Sequence, residues 1–151
     1  MAKPPAVEQT FYYGVPPAQV YGALTDPKGL CRWFLEDAEI ELRKGASFRF
    51  TWVGGYSMKG KVRKFRPGRS VELAWNDRFP RGRVFRTVAR FEVKREGSGT
   101  LLTLRHSGFK SGRKWWLLRG AIQSGWAYYL TNLKAVLEHG TDLRSEHDSV
   151  V

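Results

Sequence analysis

Two periodicities divide this chain. Between residues 47 and 106 apolar side chains recur at every second position, the period of a half-buried strand. Over the last helical stretch they recur every three to four, the period of an amphipathic helix. In 47–52, Phe48, Phe50 and Trp52 share one face and Arg49 and Thr51 the other. Gly54-Gly55 supplies a tight turn, after which Tyr56, Met58, Gly60 and Val62 oppose Ser57, Lys59, Lys61 and Arg63. Arg66-Pro67-Gly68-Arg69 makes the next turn, and Val71, Leu73 and Trp75 alternate beyond it. A polar loop is expected over 76–82. A long strand then covers 84–94, with Phe85, Ala89, Phe91 and Val93 on one face and Arg86 and Arg90 on the other. Gly97-Ser98-Gly99 turns the chain into a strand over 100–106.

The ends of the chain follow other patterns. Residues 7–14, with Phe11, Tyr12 and Tyr13, predict a first strand, and 39–42 a weak one. Pro16-Pro17 predicts a helix start, because a proline at the first helical position gives up an N–H the first turn does not use. That helix covers 18–24. Asp26-Pro27 pairs an N-cap with a proline and opens a second short helix carrying Leu30, Trp33 and Phe34. The last helix runs from 112 or 113 to 139, about 40 Å at 1.5 Å per residue. Ser111 is its candidate N-cap and Gly140 its left-handed cap. Ile122, Trp126, Tyr129, Leu130, Leu133, Val136 and Leu137 share one face of it.

Strands joined by tight turns pair antiparallel, and a sheet with one apolar and one basic face needs a cover. The expected fold is therefore α+β: a curved antiparallel sheet of about six to seven strands wrapped on a long C-terminal helix, with two short helices after the first strand. One domain spans 1–151, with its core at about 7–140 and flexible tails at 1–6 and 141–151.

Composition narrows the class. Apolar residues make up 42% of 151 residues and aromatics 14%, which fits a globular domain with a real core. Twenty-six basic residues face 14 acidic ones, a net charge of +12 that attracts anions without choosing among them. Lys59, Lys61 and Arg63 on one strand, Arg86 and Arg90 on another, and Arg78, Arg81 and Arg83 between them are candidates for a basic outer face. One cysteine, Cys31, excludes an internal disulfide framework. With no apolar leader and no run of about 20 apolar residues, a cytoplasmic protein without a transmembrane segment is expected.

Four segments resemble a known family: Asp26-Pro27 through Trp33-Phe34, Val71-Glu72-Leu73-Ala74-Trp75, Thr100-Leu101-Leu102-Thr103-Leu104-Arg105-His106-Ser107-Gly108-Phe109, and Gly125-Trp126 through Gly140. With the order of elements they resemble the START-like, helix-grip (SRPBCC) superfamily. Within it, the chain is similar to the family named for the activator of the heat-shock-protein-90 ATPase (AHSA-like). The resemblance covers roughly 7–140 and implies a cavity between sheet and helix. The superfamily holds lipid carriers, receptors, cyclases and proteins with no known ligand, so fold alone does not give function. The family's eukaryotic co-chaperone carries a further N-terminal chaperone-binding domain, for which this chain leaves no room; chaperone activation is not expected.

The expected function is binding of a small hydrophobic or amphipathic ligand in that cavity. Its candidate walls are Trp33, Phe34, Phe50, Trp52, Tyr56, Met58, Trp75, Phe85, Leu104, His106, Trp126, Tyr129 and Leu133. An ordinary packed core is the competing expectation. Entry is expected at one end of the long helix, beside 76–82 and 109–113. The first alternative is a cyclase, dehydratase or hydrolase with His106 or a tyrosine as acid–base. No paired carboxylates fall on the expected inner face: Glu72 alternates outward and Asp77 sits in the loop. The second alternative is an interaction protein using the basic face on nucleic acid, anionic lipid or a chaperone. Nucleic acid is not favoured, because the aromatics point inward and leave no stacking platform. Cys31, His106, His139 and His147 have no zinc-ligand spacing, no Gly-x-Ser-x-Gly elbow is present, and residues 108–114 miss the phosphate-loop spacing. No cofactor and no metal are expected.

Overall fold

The computed structural model describes residues 1–79 and 83–144. Strand β1 (Val7–Tyr13) leads into helices α1 (Pro17–Thr25) and α2 (Pro27–Cys31). Six strands follow: β2 (Asp37–Glu39), β3 (Ser47–Thr51), β4 (Ser57–Arg66), β5 (Ser70–Phe79), β6 (Arg83–Glu96) and β7 (Gly99–Ser107). Helix α3 (Arg113–His139) closes the order. All seven strands form one antiparallel sheet, β1-β7-β6-β5-β4-β3-β2. Sequential hairpins from β2 to β7 and the return of β1 beside β7 make this a helix-grip fold.

Local chemistry sets the boundaries. The Asp26 carboxylate accepts the Gly29 N–H at 3.0 Å, so the aspartate caps α2 as its spacing before Pro27 requires. The Gly140 C-cap lies at φ 67°, and its N–H reaches the last-turn carbonyls of Ala135 and Val136. At the other end Gly112, not Ser111, is the cap of α3, with φ 124° and no side-chain bond to the first turn. The weak strand predicted over 39–42 forms instead at Asp37–Glu39, because Ala38 pairs with Phe50 and turns into the core. A bulge between Val62 and Lys64 shifts the alternation of β4, and Arg63 there reaches the Glu72 carboxylate of β5 at 3.2 Å.

The sheet closes on α3 through a core rich in rings. Trp126, Leu130, Leu133 and Val136 of α3 are buried against Phe48, Phe50, Leu73, Phe91, Leu102 and Leu104 of the strands. Gly60 makes the close packing of β3, β4 and β5 feasible. A Cβ at that position would lie 2.1 Å from the Ala74 carbonyl and 2.5 Å from the Phe48 ring. Two buried ring donors find partners: Tyr13 Oη donates to the Leu130 carbonyl at 2.8 Å, and Trp33 Nε1 to the Ala23 carbonyl at 2.8 Å.

One expectation about the chain changes here. The polar loop expected from residue 76 is strand as far as Phe79, in register with β6: Asn76 faces Arg86, Asp77 faces Phe85 and Arg78 faces Val84. Alternation continues past the last obviously apolar residue because the ladder does not need apolar side chains to extend. Hydrogen bonds join the two ends of the chain to the fold where they are described. The carbonyls of Ala2, Pro5 and Ala6 accept from Trp116 or Arg119, and Arg144 bonds Asp142 and the carbonyls of Cys31 and Leu35. Residues 80–82, including Arg81, and 145–151, including His147, lie outside the described residues. Among the described residues no helix is long and apolar enough to cross a membrane.

Candidate functional site

The inner face of β5 carries Leu73, Trp75 and Asp77 in succession, so a carboxylate continues a row of core side chains. The sheet thereby delivers Asp77 to the edge of the aromatic interior. Trp75 Nε1 donates to Asp77 Oδ2 at 3.0 Å. The Tyr56 hydroxyl, from the β3–β4 hairpin, points at Asp77 Oδ1 from 3.4 Å, and its oxygen accepts the Arg78 N–H at 3.1 Å. Burial pushes the Asp77 carboxyl above its ordinary range, and the two donors only partly offset this. The same burial raises the Tyr56 and Tyr129 hydroxyls.

Asp77 and Tyr56 form the polar end of a pocket of about 200 Å³ between sheet and helix. Its other walls are Phe34, Trp52, Trp75, Trp126 and Tyr129, with Ile122 and Gly125 of α3. Phe34 is the hub of the rings. It meets Trp52 edge-on at 5.3 Å and Tyr129 edge-on at 4.9 Å, and lies 5.2 Å from Trp126 and 6.3 Å from Trp75. A surface groove adjoins the pocket beside Tyr56, Asp77, Arg78, Leu118, Ala121 and Ile122. For scale, a cavity of about 150 Å³ accommodates benzene. The space suits one ring or a short branched chain, not a whole lipid.

The expected wall residues separate into three groups. Phe34, Trp52, Tyr56, Trp75, Trp126 and Tyr129 meet at the pocket. Trp33, Phe50, Met58, Leu104 and Leu133 are not among its lining; they fill the core beneath it. Phe85 lies in a separate cluster with Val7, Phe109 and Leu118. That cluster fills the end of the fold beside 109–113, one of the two places where entry was expected; at the other, Asp77 and Arg78 line the groove that adjoins the pocket. Asp77 is the residue the sequence hid, since its short polar neighbourhood, Asn76-Asp77-Arg78, reads as loop.

His106 does not reach the pocket. Its ring is fully buried, Nδ1 accepts from Trp126 Nε1 at 3.0 Å, and Nε2 sits 2.7 Å from Thr87 Oγ1. The Trp126 donor assigns the proton to Nε2, and the Thr87 hydroxyl passes its own on toward the Trp75 carbonyl at 3.3 Å. Burial lowers its pKa to about 3, so the ring is neutral at physiological pH. Both nitrogens are used, which removes His106 as an acid–base and makes it a brace between β6, β7 and α3.

On the outer sheet face β5 separates the two basic strands, β4 and β6. Lys59, Lys61, Arg63 and Arg86 are exposed and Arg90 half-buried. Acids interrupt them. Glu72 lies between Arg63 at 3.2 Å and Arg90 at 3.7 Å, Glu92 holds Arg90 at 2.7 Å, and Glu39 holds Arg49 at 3.0 Å. Arg78 lies on β5 and Arg83 begins β6, its guanidinium 5.7 Å from the Phe85 ring.

A match to the family described as "Activator of Hsp90 ATPase homolog 1-like protein" spans residues 14–138. The chain belongs to that family. Solved structures agree on the fold. Protein MLL2253 of Mesorhizobium loti superposes with a TM-score of 0.79 at 22% identity, over 90% of this chain and 98% of that one. The Aha1 dimer of Colwellia psychrerythraea gives 0.75 at 24% identity, over 90% and 98%. CalU16 of Micromonospora echinospora gives 0.70 at 23% identity, over 95% and 81%. At these identities the likeness concerns the fold. No curated protein matches the chain in sequence.

Proposed function

We propose that this AHSA-like domain binds a small amphipathic molecule in the Asp77 pocket, burying its apolar body among Phe34, Trp52, Trp75, Trp126 and Tyr129. One observation carries this reading: the ring-lined space of about 200 Å³ opens to solvent and ends in two polar groups, Asp77 and Tyr56. Mostly apolar walls with one or two orienting polar groups are the usual composition of a small-molecule site. The test is an indole N–H spectrum during titration with benzyl alcohol. Six tryptophans give six reporters. The signals of Trp52, Trp75 and Trp126 should shift with saturation, while those of Trp33, Trp115 and Trp116 stay in place. No saturable shift at the first three would overturn the reading.

The raised Asp77 carboxyl favours a second reading, acid–base chemistry on the bound molecule, because burial lifts it above the ordinary carboxylate range and so favours its taking up a proton. Under that reading Asp77→Asn abolishes turnover and leaves retention of the apolar body intact.

A further inference from the structure

We infer that the pocket selects a ligand bearing a quaternary or highly alkylated ammonium group, with Asp77 as its counter-ion and the surrounding rings as its cage. This rests on the pocket reading above and names the chemistry of the group it takes.

Charge is the first observation. Asp77 lines the pocket, and among the described residues no Lys or Arg does. Among the described residues its side-chain partners are two neutral donors, the Trp75 indole and the Tyr56 hydroxyl, and no cation holds it ionised. In a chain with 26 basic and 14 acidic residues, a half-buried carboxylate with no basic partner is the reverse of what composition favours. A carboxylate in apolar surroundings costs free energy unless a positive charge meets it, so the site is electrostatically incomplete without a cation.

The walls say which cation. An ammonium with three N–H groups needs three acceptors, and those of the pocket are already engaged: Asp77 Oδ2 accepts from Trp75, Asp77 Oδ1 faces the Tyr56 hydroxyl, and the Tyr56 oxygen accepts the Arg78 N–H. A fully alkylated nitrogen needs none. It is held by the negative faces of aromatic rings, each contributing about 0.5–2 kcal/mol when desolvated. Phe34, Trp52, Tyr56, Trp75, Trp126 and Tyr129 put six rings round one space. Its volume of about 200 Å³ fits a trimethylammonium head with a short chain, the remainder leaving through the groove beside Leu118 and Ala121.

Other charges near Asp77 are few. Arg78 follows it on β5 with its side chain exposed, Tyr56 and Tyr129 are the titratable neighbours from the hairpin and from α3, and β6 presents the uncharged Phe85. Among the described residues Arg78 opposes a cation from the solvent side, and Arg144 acts on the Tyr129 wall.

The test compares choline with 3,3-dimethylbutan-1-ol, which has the same shape with carbon in place of the charged nitrogen, using the indole signals of Trp52, Trp75 and Trp126. Choline should bind at least about tenfold tighter, a difference of about 1.4 kcal/mol. Asp77→Asn should remove that preference while the alcohol still binds. Equal affinities in the wild-type chain overturn the ammonium proposal and leave the pocket reading standing. Preference retained in Asp77→Asn overturns the role of Asp77. Silence toward both compounds, and toward benzyl alcohol, overturns both readings. Should Asp77→Asn lose its native circular dichroism, pH replaces it: acidification that protonates Asp77 must erase the preference for choline, and a preference unchanged by pH overturns the proposal.

Discussion

Two tryptophan N–H groups in this molecule each donate to a titratable side chain at the inner sheet face, with opposite consequences. At the closed end Trp126 bonds His106 and at the open end Trp75 bonds Asp77. Burial drives both partners toward their neutral forms, His106 by losing its proton and Asp77 by keeping one. The histidine has a partner on each nitrogen and is sealed beneath Phe109, which stacks on it at 5.7 Å. The carboxylate has a second, longer bond to an exposed tyrosine and a pocket in front of it. A buried polar group whose bonds are all made is a brace. One whose bonds are incomplete at a cavity wall is where a ligand gains most.

The comparison can be broken most forcefully at the closed end. His106→Phe keeps the ring volume and leaves the Trp126 N–H unpaired in the core, which should cost about 3 kcal/mol in denaturant unfolding. His106→Gln, which retains an acceptor and a donor, should recover part of it. A loss below about 0.5 kcal/mol in His106→Phe would mean the brace is dispensable.

The next largest effect is the pH dependence of stability, where the two ends have opposite signs. The folded state holds His106 near 3 against an ordinary value of 6.5, so the unfolded chain takes up the proton first. The contribution of His106 is complete above pH 6.5 and is lost by about 1.4 kcal/mol per pH unit as pH falls toward 3. Asp77 is raised above its ordinary 3.8, so its contribution is complete below that value and falls as pH rises through its folded pKa. Unfolding free energies of His106→Gln and Asp77→Asn, each measured against wild type across pH 4–8, should therefore diverge in opposite directions.

Asp77→Asn itself should stabilise the protein by about 1 kcal/mol at neutral pH, since it removes an unpaired charge and keeps an acceptor for Trp75. Destabilisation in thermal unfolding would show that the ionised carboxylate holds the fold together. Smallest is Tyr56→Phe, with a stability change within about 0.5 kcal/mol because Tyr56 is 38% exposed and its bond to Asp77 long. Loss of that donor should move the Asp77 carboxyl higher still, readable as a shift in its carboxyl-carbon titration.

Much of this was legible along the chain. The alternation of Phe48, Phe50 and Trp52, the Asp26-Pro27 cap and the Trp126–Leu130–Leu133 stripe each follow from a local period, and each lies where its period puts it. Phe34, Trp52, Tyr56, Trp75, Trp126 and Tyr129 were expected at one cavity and line one pocket. What escaped were residues whose role depends on where another element ends. Asp77 looked like loop because Asn, Asp and Arg signal turns, yet pairing with β6 carries the strand through it. The type and face of His106 allow either an acid–base or a structural histidine, and nothing local reveals that Trp126 and Thr87 occupy both nitrogens. Phe85 alternates inward as expected but meets Phe109 and Leu118, because β6 runs past the pocket to the plugged end.

The sequence alone determined the inventory: six to seven strands' worth of alternation, one long amphipathic helix, two short ones opened by prolines, and a family likeness carried by four segments. Those follow from hydrophobic period and turn chemistry, which act over a few residues and are written in order along the chain. Only the tertiary structure decided which inward side chains fill space and which leave it open. That depends on rings from the β3–β4 hairpin, β5, α3 and the segment after α2 meeting in three dimensions, and on a carboxylate 21 residues from its tyrosine partner being brought beside it with no counter-charge among the described residues.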